Sequence, residues 1–152
     1  MQLTAYSRNK ILQTFSHWRV DKEFADPMYN YLVFGFEPGS CFTSVLANDF
    51  FGAITRSHPA NTVEAFKALA KWIKDTVPDS AQGSYDAVKN WCKLDEDARR
   101  KILEMRGLIY TSEQEVWAVL NNEPTATPVA EYVTVRVEDE AVVFDVDVAV
   151  AR

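Results

Sequence analysis

The sequence predicts an α+β protein: a mainly helical body of six or seven short helices, followed by a C-terminal β-hairpin. Three observations predict it. Apolar residues recur at helical spacing as far as Leu120, cap and turn residues interrupt them at short intervals, and beyond Pro128 the apolar period changes to two. The expected organisation is therefore a helical domain over residues 1–123, a linker over 124–130, and a hairpin over 131–152 packed on the body or on a neighbouring subunit.

Ser7 to Trp18 is expected to form the first helix, with Ile11, Leu12, Phe15 and Trp18 on one apolar face. After a charged stretch, Asp26-Pro27 reads as a helix opening, because aspartate caps and proline suits the first helical position. That second helix should run to about Phe34, where Gly35 and the Glu37-Pro38-Gly39 turn stop it. Ser40 is placed to cap a third helix reaching about Ser57, with Phe42, Val45, Leu46, Ala53 and Ile54 at helical spacing.

His58-Pro59-Ala60-Asn61 breaks the chain, and Asn61 with Glu64 three residues later resembles a capping box for a helix ending near Thr76. Pro78 to Gly83 reads as a loop. Ser84 caps a short helix with Tyr85, Val88 and Trp91; Asp95 opens a charged helix that Gly107 ends; Ser112 with Glu115 opens a last one. Tyr132, Thr134, Arg136 and Glu138 then alternate with valines, and a second alternating run follows Asp139-Glu140. A hairpin is marginal alone in water, so its valine face would need a surface to dock on.

The net charge is −6, and from Pro124 onward six acids face only Arg136 and Arg152, so the body is nearly neutral. No basic stripe tracks a phosphate backbone, which argues against direct nucleic-acid binding, and acids confined to one hairpin argue against a DNA mimic. Cys41 and Cys92 sit singly in helical patterns, as buried thiols of a reducing compartment do. No apolar run is long enough to cross a bilayer, and a cytoplasmic protein is expected.

The catalytic inventory is thin. His17 and His58 stand in no ligand or triad spacing, the five glycines are isolated, and no cofactor or metal is expected. The aromatic residues, among them Trp18, Tyr29, Tyr31, Trp72, Tyr85, Trp91 and Trp117, read as core or docking anchors. The candidate surface is the entry to the third helix: Pro38, Gly39, Ser40 and Thr43 could receive an anion, and Asn48, Asp49 and Arg56 could form a hydrogen-bonded network.

Pro38-Gly39-Ser40-x-Phe42-Thr43-x-Val45-Leu46-x-Asn48-Asp49, with Ala53, Arg56 and Asn61 downstream, resembles a signature of small phage-encoded proteins of uncharacterised function, P-G-S-F-x-x-A-V-L-x-N-D. Pro78, Gly83, Ser84 and Trp91 match a second stretch of that group, and Cys41 is an extra residue in the first. The resemblance covers about Met28 to Trp91, and it implies a phage origin and the host-cell cytoplasm without implying a mechanism.

The leading expectation is a non-catalytic phage accessory protein that binds and modulates a host protein, in counter-defence, through a surface built on the second to fourth expected helices, with Asn61 among its residues. The alternative is a protein that sequesters a small anionic nucleotide signal, and a homo-oligomer is compatible with either. An enzyme using His58 with Asp49 is a third reading.

Overall fold

The computed structural model describes residues 3–121, and the expected linker and hairpin, 124–152, lie outside them. Eight α-helices make up the described residues: α1 (Ala5–Trp18), α2 (Ala25–Tyr29), α3 (Ser40–Leu46), α4 (Phe50–Arg56), α5 (Val63–Thr76), α6 (Tyr85–Lys93), α7 (Glu96–Arg106) and α8 (Ser112–Leu120). Among the described residues there is no strand, so the α+β class is corrected to all-α. The physical reason is that the helices close a core on one another without a sheet. Fully buried Trp72, Trp91, Tyr29, Tyr31, Phe66 and Leu69 come from four different elements and pack as one cluster. The β component of the expected class rested entirely on the alternation beyond residue 130.

Several helix starts follow the local chemistry, displaced by a residue or more. Thr62, not Asn61, caps α5 through the Ala65 N–H (3.1 Å), and Thr111 with Gln114, not Ser112 with Glu115, forms the capping box of α8. Asp21 accepts the Glu23 N–H at the start of a 3₁₀ turn that leads into α2, so the helix begins before Asp26-Pro27. Ser84 and Asp95 cap α6 and α7 as expected, and Gly107 ends α7 in the left-handed conformation.

The second helix continues past Tyr29 as a π-turn, Asn30–Phe34, at the centre of the core. Two buried side chains donate to carbonyls of this turn: that of Tyr31, which also accepts the Gly35 N–H (3.0 Å), and that of Val33. Trp91 Nε1 donates to the Tyr31 carbonyl (3.0 Å) and Arg99 Nε to the Val33 carbonyl (3.1 Å), while Arg99 Nη1 donates to the Leu94 carbonyl. Arg99 is buried on the helix expected to be merely charged, and its guanidinium lies against Gly35, whose φ is +69°.

Glu115 joins the two ends of the described chain. Its carboxylate accepts from the Thr4 N–H (2.8 Å), the Thr4 hydroxyl (3.1 Å) and Arg100 Nη2 (2.5 Å), tying α8 to the start of α1 and to α7. Burial pushes this carboxyl up, but bonds from Ser7, Arg100 and Thr4 outweigh it and hold it below the ordinary glutamate value. A group depressed in the folded state contributes stability above its unfolded pKa and loses it as pH falls through the folded value. Acidification below the usual carboxyl range is therefore expected to release α8, seen as faster amide exchange at 112–120. Glu115→Ala should cost about 2 kcal/mol at neutral pH in a denaturant titration, since it leaves the buried Thr4 N–H without its acceptor and Arg100 with Glu104 (2.9 Å) in place of two carboxylates.

Candidate functional site

The segment expected as one helix from Ser40 to about Ser57 is two helices separated by a sharp reversal. Asn48 ends α3 at φ +63°, a left-handed conformation that asparagine tolerates better than most residues. Asp49 then caps α4, its Oδ1 accepting the Gly52 N–H at 2.9 Å. The Asn48-Asp49 pair is thus a stop followed by a start, and the reversal lays α4 back along α3. Asn48 itself is exposed and takes no part in the hydrogen bonding of Asp49 and Arg56.

The reversal brings Arg56, in the last turn of α4, over Ser44 of α3 and Tyr85 at the start of α6. Arg56 Nη1 donates to Ser44 Oγ (2.6 Å) and to the Tyr85 hydroxyl (2.8 Å), and lies 3.9 Å from Asp49 Oδ2. Each hydroxyl has one proton to give. Ser44 donates its proton to the Ser40 carbonyl (2.9 Å) and Tyr85 donates to Asp49 Oδ2 (2.6 Å), so both oxygens present lone pairs to the guanidinium. A methyl group at Gly52 would overlap the Asp49 carboxylate, so the network needs glycine there.

The Tyr85 hydroxyl is the main reason that the Asp49 carboxyl sits below its usual range, with the Gly52 N–H and the Arg56 charge adding to it against a small burial cost. Tyr85→Phe is expected to raise the Asp49 titration midpoint toward an ordinary aspartate, measured by NMR of the side-chain carboxyl carbon. The stability that this carboxylate lends to the α3–α4 pair would then be lost at a higher pH than in the parent protein.

Of the residues expected in the site, Asp49 and Arg56 are brought together. Thr43 is buried and donates its hydroxyl to the Pro38 carbonyl (3.0 Å), which ties the Pro38-Gly39 turn to α3. Gly39, not Ser40, occupies the cap position of α3 and makes no side-chain cap bond. Asn61 lies in the connection to α5, its N–H donating to the His58 carbonyl (2.9 Å), apart from the network. No hydrogen bond joins His58 to Asp49: the His58 Nδ1 accepts the Ala60 N–H, and the Asp49 carboxylate is engaged by Tyr85 and Gly52.

Sequence reasoning missed Ser44 and Tyr85. Tyr85 is separated from Asp49 by 36 positions, and its spacing to Val88 and Trp91 suggested the core, whereas the ring is 41% exposed. The network is closed on itself and holds α3, α4 and α6 in fixed relation. What it presents outward is an apolar ridge on α4: Phe51 is 81% exposed, with Phe50 and Ile54 partly exposed beside it. The arrangement fixes the helix that carries these exposed apolar side chains.

No protein-family model, curated protein or solved structure matches the chain. Among the described residues no helix is long and apolar enough to cross a membrane. Cys41 and Cys92 are both free and half-buried, and burial pushes each thiol up to about 11, which disfavours the reactive thiolate at neutral pH.

Proposed function

We propose that this is a non-catalytic phage accessory protein that binds and modulates a host protein in the host-cell cytoplasm, in counter-defence, with α4 as the contacting element. The observation that carries the reading is Phe51, 81% exposed on a helix that four side chains fix in place. A large aromatic side chain held in water is costly to solvate, and burying it against a partner is worth about 1.5–3 kcal/mol. Tyr85 and Arg56 of the network beneath α4 are residue types that anchor protein interfaces. Because α4 is already ordered by the Ser44–Asp49–Arg56–Tyr85 network, binding through it avoids part of the entropy of fixing a loop.

The test is affinity capture from host lysate at several salt concentrations, with the eluate read by native mass spectrometry. A heterocomplex of fixed stoichiometry is the expected result, and recovery of the bare protein under every condition would overturn the reading. Sequestration of a small anionic nucleotide draws less support, since the Thr43 hydroxyl expected to receive it is committed to the Pro38 turn. A nucleotide mass retained in the same spectra would reverse that ranking.

A further inference from the structure

The exposed side of α5 carries Lys67, Lys71 and Lys74 at successive turns, a cationic row on a chain whose net charge is −6. Together with Trp18, Ala70 and Asp75 these lysines line an open recess of about 580 Å³. Trp18 Nε1 donates to Asp75 Oδ2 (3.1 Å), which fixes the indole as one wall. Arg106 Nη2 donates to the Asp75 carbonyl and brings a fourth cation to the same end. The acids at this face are Asp75 and Glu64, the latter 3.9 Å from Lys67 Nζ, so positive charge stays in excess. The face therefore has an apolar wall and floor with ammonium groups along its rim, a fit for a peptide that alternates acidic and apolar residues.

We propose that the occupant is the chain's own C-terminal segment, residues 131–147. That segment carries Glu131, Glu138, Asp139, Glu140, Asp145 and Asp147 against a single Arg136, with valines and Phe144 interleaved. Its charge is opposite to that of the face, and its composition matches the apolar recess. The described chain ends at Asn121, and ten residues can span roughly 35 Å, about the width of a body of this size. A tethered segment meets its own surface at an effective concentration on the order of millimolar, so even weak pairing keeps the face occupied. Contact of this kind is screened by salt and would have to be displaced by any acidic partner that used the same face.

The experiment is zero-length carbodiimide coupling of the full chain, as an equal mixture of unlabelled and ¹⁵N-labelled protein, followed by proteolysis and mass spectrometry. The expected result is same-isotope links from Lys67, Lys71 or Lys74 to the carboxylates of 131–147. These should exceed links from Lys10, Lys22, Lys89, Lys93 and Lys101 several-fold and should fall severalfold at about 0.5 M salt. Links spread evenly over all lysines, the absence of links to 131–147, or mixed-isotope links as abundant as same-isotope ones would each overturn the proposal. The last outcome would place the segment on a second copy instead.

Discussion

Gly35→Ala is expected to destabilise the protein by about 3 kcal/mol or more, a drop of roughly 10 °C in melting temperature. Two costs add at this position. Gly35 has φ +69°, where an alanine is strained by about 1–2 kcal/mol. The new methyl would also stand 2.5 Å from Arg99 Nη1, 2.8 Å from its Cζ and 3.2 Å from the Cys92 carbonyl. Arg99 is only 4% exposed, so it has little room to retreat, and moving it strands the Val33 and Leu94 carbonyls that it satisfies. Each buried carbonyl left without a donor costs about 1–3 kcal/mol. Gly39→Ala is the matched control: an added methyl there meets nothing within 4 Å, and the melting temperature should barely move. Equal melting temperatures for the two variants would show that the guanidinium does not hold the π-turn as described.

Phe51→Asp is expected to weaken partner binding about 30-fold, the equivalent of roughly 2 kcal/mol, while leaving the thermal melt unchanged. The separation of the two readouts follows from burial. At 81% exposure Phe51 contributes little to the folded core, so its removal should be silent until a partner covers it. Ile54→Asp, on the next turn of the same face, should show a smaller loss in the same direction. Tyr85→Phe should act differently, because it leaves the ridge intact and loosens its mount; the association rate would fall and the amides of α4 would exchange faster. Binding by Phe51→Asp that matches the parent protein would remove α4 from the interface.

Much of the helical body was legible in the sequence because its signals are local. The stripes of α1 and α5, the caps at Ser84 and Asp95 and the stop at Gly107 depend on residues within one turn of each other. The caps at Thr62 and Thr111 were displaced by one position because a second capping residue stands next to each, and local chemistry allows either. The break at Asn48-Asp49 was obscured by spacing: Leu46 and Ala53 are seven residues apart, which a continuous helix also satisfies. The π-turn and the polar network were not legible. Their partners, Trp91 and Arg99 for the first and Tyr85 for the second, arrive from 36 to 66 positions away, and neither hydrophobic period nor propensity records such a meeting. The β expectation failed for a further reason: it drew the whole fold class from a segment that the described body does not need to close its core.

Hydrogen–deuterium exchange of the captured complex against the free protein tests the central claim most directly. Binding through α4 predicts slowed exchange over residues 50–56 and at the start of α6, where Tyr85 braces the ridge. Protection confined to α7 and α8, with α4 exchanging as it does in the free protein, would contradict it.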